Sequence, residues 1–263
     1  MSAPGPVPID QHNVEIEQNL QAWRRKPVLQ LAYRDFHRRI ASHVDRSVPG
    51  KIVELGSGIG NIRDIIPNCV RTDLFANPWI DQIENAYHLT FGDGEVSHLI
   101  LFDVFHHLEH PKTALAECRR VLAPRGRVII FDPYVSLVGR LVYGPLHHEP
   151  IGDDRPIVAS APSSFNPHQH AYYAAQGNAT RVFWNNDVPE MLDGWKVMAR
   201  ERIGAWAYAM TGGYSKPQLY PTALYPLIKR VDTVAEALPR LLALRALVVL
   251  MRSDAGDTDD RAV

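Results

Sequence analysis

A chain of 263 residues can bury one full core and carry a sizeable insertion, but hardly two independent domains. Apolar residues make up 46% and charged residues 22%, an ordinary globular profile that excludes a fibrous or disordered chain. With 28 basic against 29 acidic residues the net charge is −1, which leaves no electrostatic footprint for a phosphate backbone, so nucleic acid is not an expected partner.

Residues 1–11 are rich in Pro, Ala and Gly and read as a loose tail. They lack a basic region followed by an apolar stretch, so no export signal is expected and a cytoplasmic location follows. Cys69 and Cys118 fit that compartment, being too few for a disulfide framework and matching no metal spacing. Residues 12–48 form an N-terminal helical segment: Ile16, Leu20, Trp23, Leu29, Tyr33, Phe36 and Ile40 recur mostly at three- and four-residue steps, and Pro27 divides them into two helices.

From residue 49 onward a single domain is expected. Lys51 to Leu55 reads as a short buried strand entering a glycine-rich turn, followed by a helix from about Ile62. A strand at Cys69 to Thr72, a helix-like segment at Asn77 to Ile83 and a strongly apolar strand at His98 to Phe102 come next. Pro111 to Leu122 reads as a helix with Leu115, Cys118 and Leu122 on one face. The turn Ala123-Pro124-Arg125-Gly126 then leads to a strand at Arg127 to Phe131. This alternation predicts an α/β fold with a mostly parallel sheet, helices on both faces and ligands bound at the carboxyl ends of the strands.

Regularity fails over about 133–183 and again over about 204–246, the two inserted lid segments. Between and after them the sequence predicts a helix at Asp187 to Leu192, a strand at Trp195 to Ile203, a helix pair reaching about Ala246 and a last strand at Leu247 to Met251. The apolar stretch from Leu238 to Met251 contains Pro239, Arg240 and Arg245 and is too short to span a bilayer. Tyr134, Tyr143, His147, His148, Tyr172, Tyr173 and Phe183 in the first insertion, with Trp206, Tyr208, Tyr214, Tyr220 and Tyr225 in the second, suit an aromatic, partly polar acceptor cavity.

The chemistry centres on Val53-Glu54-Leu55-Gly56-Ser57-Gly58-Ile59-Gly60-Asn61. Glycines at 56, 58 and 60 allow a sharp turn and close approach of a ligand to the backbone. A dinucleotide turn would need a third glycine or alanine where Asn61 stands, and Glu54 would repel a pyrophosphate while attracting a cationic ligand. Further on come Asp103-Val104-Phe105-His106-His107-Leu108-Glu109-His110-Pro111 and Ala116-Glu117-Cys118-Arg119-Arg120-Val121-Leu122-Ala123-Pro124-Arg125-Gly126-Arg127.

In the order and spacing of these motifs, the segment from Ile52 to Asp132 resembles the class I S-adenosylmethionine-dependent methyltransferases, with their Rossmann-like sheet. The resemblance implies S-adenosyl-L-methionine as cofactor. It assigns Glu54, Gly56, Ser57, Gly58 and Gly60 to the methionine part, Asp73 to the ribose hydroxyls and Asn85 and Ala86 to the adenine, Asn85 replacing the usual acid. It also puts Phe102 and Asp103 near the transferable methyl. Asp73 as a helix cap, Asn85 as a turn residue and Phe102 as core are the structural alternatives.

His107, following the fourth strand, is the candidate general base, and an oxygen acceptor on a small-molecule or carrier-linked metabolite is favoured because such an acceptor needs one. Asp103, His106 and His107 resemble in spacing the carboxylate-x-x-carboxylate-His cluster of ubiquinone-pathway O-methyltransferases, with His106 in place of the second acid. His147, His148, Glu149, His168 and His170 could add ligands, but no helical His-x-x-x-His pair or other strong spacing appears, so no metal is assigned. Homo-oligomerisation stays open. The competing functions are a nicotinamide-dependent oxidoreductase and a methyltransferase-like binding subunit without catalysis. Protein or nucleic-acid methylation is disfavoured, because Asp103-Val104-Phe105-His106 stands where an Asn-Pro-Pro-Tyr type motif would be.

Overall fold

The computed structural model describes residues 9–147, 149–168 and 172–253, so His148, His170 and residues 1–8 of the expected tail lie outside the described residues. Helix α1 (Ile9–Arg25) begins before the tail was expected to end, and Pro27 at the first turn of α2 (Pro27–Ala41) separates the two helices. Five strands follow in parallel: β1 (Lys51–Leu55), β2 (Val70–Asp73), β3 (Gln82–Ile83), β4 (Val96–Phe102) and β5 (Leu122–Pro133). Helix α3 (Pro111–Val121) connects the last two.

After β5 come the short helices α4 (Gly139–Tyr143) and α5 (Asn178–Thr180), then β6 (Trp195–Ile203), α6 (Trp206–Ala209), α7 (Tyr225–Ala237), α8 (Pro239–Leu242) and β7 (Arg245–Arg252). The seven strands lie in the order β3-β2-β1-β4-β5-β7-β6, with β7 antiparallel to both its neighbours. Strand β4 is buried along its whole length, which is why Val96 to Phe102 is apolar without alternation apart from Ser97 and His98. The two-residue pleat sorts the strands between two cores. Val53, Leu99, Leu101, Val128 and Ile130 pack with Leu115 and Cys118 of α3, whereas Ile52, Ile100, Phe102, Ile129 and Phe131 pack with Leu29, Tyr33, Phe36 and Ile40 of α2.

Of three expected helices two shrink and one is absent, each beside a proline. The helix expected from Ile62 is one 3₁₀ turn, Asn61–Asp64, because Pro67 forbids continuation. Asn77 to Ile83 is not helical: the Asn77 carboxamide accepts from the Trp79 N–H at 3.0 Å across Pro78, and the segment ends in β3. Asp187 to Leu192 reduces to a 3₁₀ turn, Pro189–Leu192. The turn at 123–126 survives as a bulge inside β5: Val96 pairs with Leu122 and His98 with Arg127, and Arg125 takes φ +63°.

Candidate functional site

The β1 turn is laced to the end of β2. Ser57 N–H donates to the Thr72 carbonyl at 2.8 Å, and Thr72 Oγ1 donates to the Glu54 carbonyl at 2.9 Å. Asp73 closes the lacing, its Oδ2 accepting from Gly58 N–H at 3.0 Å and its Oδ1 from Leu74 N–H at 2.7 Å. No helix follows Asp73, so the helix-cap alternative falls. Gly56 has φ +67°, and a Cβ there would meet Val104 Cγ2 at 2.5 Å; at Gly58, with φ +51°, a Cβ would meet nothing within 4 Å, because that side of the turn is open.

The opening is a cavity of about 260 Å³. Its floor is Glu54, Gly56, Ser57, Gly58, Ile59 and Asn61; its walls are Phe102 and Asp103 from the end of β4, Tyr208 and Tyr214 from the second insertion, and Asn19, Tyr33 and His37 from α1 and α2. Glu54 is buried, its Oε2 has no hydrogen-bond partner among the described residues, and burial pushes its carboxyl up to about 8, helped by the charge of Asp73 and opposed by a hydrogen bond from Ser57. An orphaned carboxylate oxygen above a side-chain-free turn fits a cationic ligand whose backbone approaches closely. Phe102 is both core and cavity wall: it stacks on Phe131 at 5.0 Å and faces Tyr33 at 5.3 Å and His37 at 5.4 Å.

Asp103 adopts φ +55°, an uncommon conformation that an Asp tolerates better than most residues. Its N–H donates to the Phe131 carbonyl at 2.8 Å, and its carboxylate accepts from the buried guanidinium of Arg245 on β7. That guanidinium lies 5.0 Å from the Tyr208 ring centre, which ties the second insertion to the sheet.

The sequence-predicted residues divide. Glu54, Gly56, Ser57, Gly58, Phe102 and Asp103 line the cavity together, whereas Gly60, Asp73, Asn85, Ala86 and His107 do not. Asn85 makes the turn that was its alternative, its Oδ1 accepting from Tyr87 N–H at 2.9 Å while its Nδ2 donates to the Pro167 carbonyl. Ala86 packs on the core beneath.

His107 sits in the 3₁₀ turn Phe105–His107, with Nδ1 donating to the Tyr173 carbonyl at 2.8 Å. Burial and the neighbouring His106 push it down to about 4. His106 behaves oppositely: burial alone would lower it, but the Asp132 and Glu149 carboxylates raise it to about 10. Glu149 reaches both histidines from the first insertion, and the two imidazoles outweigh its burial and hold it below the usual carboxylate range.

Sequence reasoning missed the contribution of the N-terminal helices. His37 is buried, its Nε2 has no hydrogen-bond partner among the described residues, and burial holds it down to about 4, so a neutral imidazole faces the cavity. His12 Nε2 lies 3.4 Å from Asp73 Oδ1. The available signal was the polar exception within an apolar helix face: Tyr33, Phe36, His37 and Ile40 share one side of α2. Most of the lid aromatics anchor loops, as with Tyr220, whose hydroxyl donates to the Ala207 carbonyl at 2.7 Å, and Trp206, whose Nε1 donates to the Leu242 carbonyl at 2.8 Å. Tyr208 and Tyr214 alone of those named from the sequence line the cavity.

Residues 53–130 match the family described as "Methyltransferase domain". No curated protein matches the chain in sequence. Among solved structures, one chain of the Haloferax volcanii complex that contains the Trm112 methyltransferase activator is similar in fold, at 15% identity and a TM-score of 0.52 over 93% of this chain and 97% of that one. Geranyl diphosphate C-methyltransferase from Streptomyces coelicolor, solved with S-adenosyl-L-homocysteine, is similar at 12% identity, with a TM-score of 0.48 over 83% of this chain and 77% of that one. No helix among the described residues is long and apolar enough to cross a membrane.

Proposed function

For a chain that is a class I S-adenosylmethionine-dependent methyltransferase, by its domain over residues 53–130 and its fold, we propose that the methyl goes to an oxygen of a small-molecule or carrier-linked acceptor. The observation that carries this reading is the single cavity joining the Glu54 and Gly58 floor to a wall of Tyr33, His37, Phe102, Asp103, Tyr208 and Tyr214. About 260 Å³ closed over by α1 and α2 suits a metabolite and leaves no room for a folded protein or a duplex.

S-adenosylmethionine supplies a methyl made electrophilic by its sulfonium. The chain's own residues position and shield. Glu54 and the glycine turn hold the methionine end and Asp73 the ribose, in our reading; Ala86 and the backbone of Asn85 border the adenine end, the Asn85 side chain being engaged in its own turn and with Pro167. Phe102 and Asp103 border the reacting atoms and exclude water. An oxygen acceptor must give up a proton. His107 was the sequence candidate for accepting it, and His37 joins it as the imidazole that lines the cavity with a free buried nitrogen.

Calorimetry with S-adenosylhomocysteine and with NAD tests the donor, and preference for NAD would sink the reading. A panel of hydroxylated and amino acceptors with methyl-labelled cofactor tests the acceptor; transfer confined to amines or to carbon would remove the oxygen assignment. His107→Ala should leave S-adenosylhomocysteine affinity nearly unchanged and lower turnover about a hundredfold.

A further inference from the structure

Behind Asp103, outside the cavity, two adjacent histidines and a glutamate from the first insertion converge. His106 and His107 share the 3₁₀ turn after β4, their rings 4.1 Å apart and tilted 39°. Each ring is tied down at Nδ1: His106 to Asp132 Oδ1 at 3.0 Å, His107 to the Tyr173 carbonyl at 2.8 Å. Both therefore turn Nε2 toward one carboxylate, His106 Nε2 lying 3.5 Å from Glu149 Oε2 and His107 Nε2 lying 3.7 Å from Glu149 Oε1. One ligand atom from each of the three residues lies within 4.8 Å of the others. Tyr172 Oη and Gln176 Nε2 donate to the same carboxylate.

These separations are too long for N–H···O hydrogen bonds of about 2.7–3.2 Å. They match two ligands of one ion: with metal–nitrogen and metal–oxygen bonds of about 2.0–2.2 Å, a tetrahedral site puts its ligand atoms roughly 3.4 Å apart. The tethers at Nδ1 point the same way. An imidazole that donates its far N–H to a carboxylate or carbonyl is oriented as metal-bound histidines are, and ligating carboxylates are themselves hydrogen-bonded.

We propose that His106, His107 and Glu149 bind one divalent transition-metal ion through the two Nε2 atoms and the Glu149 carboxylate. Two imidazoles and one carboxylate suit Zn²⁺, Fe²⁺ or Co²⁺ and not Mg²⁺ or Ca²⁺, which take oxygen ligands. Among the described residues the site has three protein ligands, a number that in zinc enzymes goes with a position for a further ligand. Asp103, which lines the cavity, has a carboxylate oxygen within 4.8 Å of ligand atoms of His106 and Asp132, so His106 is shared between the proposed ion site and the residues behind the cavity wall. Binding of the ion is independent of the methyl-transfer reading. Its use, to lower the proton affinity of an acceptor oxygen next to Asp103, rests on that reading and leaves His107 a ligand instead of a base.

The test uses the whole purified chain, stripped with chelator and titrated with Zn²⁺ and with Co²⁺, with S-adenosylhomocysteine affinity measured on the same samples. One equivalent of metal per chain is expected, with X-ray absorption at the zinc edge reporting two imidazole nitrogens. Glu149→Gln and His107→Ala should each weaken it at least tenfold while cofactor affinity shows that the fold survives. Binding below one equivalent, binding unchanged in both variants, or an absorption spectrum without imidazole would overturn the site. Loss of metal binding with S-adenosylhomocysteine still bound would remove the ion and spare the methyltransferase reading; the reverse would do the opposite.

Discussion

Glu54 holds a carboxyl at the cavity floor that burial keeps protonated up to about pH 8, with one oxygen unpartnered. A ligand ammonium or sulfonium beside it favours the carboxylate, so binding must release that proton whenever the pH lies below about 8. The sign follows directly: affinity for S-adenosylhomocysteine rises as pH rises from 6 toward 8, close to tenfold per unit at the lower end, and then levels off. Calorimetry in buffers of different ionisation enthalpy should show up to one proton released at pH 6.5, and Glu54→Gln should flatten the pH dependence. An affinity independent of pH in the unaltered chain would show that Glu54 does not meet the cation. The same residue illustrates what spacing conveys: its place two positions before Gly56 could be read from the chain, whereas its desolvation depends on what α1 and α2 lay over it.

At the scale of elements, β7 is the strand that completes the site from the far end of the sequence. Inserted antiparallel between β5 and β6, it pairs Arg245 with Pro133 and Ile203, and this register brings the Arg245 guanidinium to Asp103. Removing the cation leaves a half-buried carboxylate without its guanidinium partner in a positive-φ backbone, so Arg245→Met should destabilise the protein by roughly 1–3 kcal/mol in urea unfolding. Adding Asp103→Asn to that variant should recover part of the loss, because the uncompensated charge is gone. If the double variant were no more stable than the single one, the ion pair would not be what anchors β7 to the β4 end. Helix α2 is the other element that the cavity depends on, since Tyr33 and His37 sit on the face that also packs Phe36 and Ile40 against the sheet.

For the molecule as a whole, acid is the expected weakness. His37 and His98 are both buried and both held down to about 4 by burial, against about 6.5 when unfolded. A folded-state value below the unfolded one means the unfolded chain binds more protons, so each residue costs stability as pH falls from 6.5 toward 4 and costs nothing above that window. Between pH 6.5 and 5 the loss is about 1.5 kcal/mol per histidine. His98 Nε2 accepts from Asp45 N–H at 2.9 Å, an acceptor that Gln can supply without titrating. His98→Gln should therefore lose about that much less stability than the unaltered chain over the same interval, read from denaturant midpoints; equal losses would place the acid sensitivity elsewhere.

What the sequence determined by itself was everything written in short range. Strand apolarity, the glycine turn after β1, the order and spacing of the motifs from Val53 to Gly126, and the length of β6 all follow from neighbours within a few residues, where backbone sterics and two- or four-residue periodicity act directly. The helices expected from Ile62, Asn77 and Asp187, two shortened and one absent, show the limit even there, because a proline one to five residues along outweighs apolar periodicity. Tertiary structure alone decided which distant segments share a space. It set Glu149 against His106 and His107, Arg245 against Asp103, His12 against Asp73, and α2 over the cavity floor. It also spent the side chain of Asn85 on a turn and on Pro167. Such contacts join residues from about twenty to more than a hundred positions apart, and the free energy that selects them is the burial and pairing of whole faces, which no local spacing encodes.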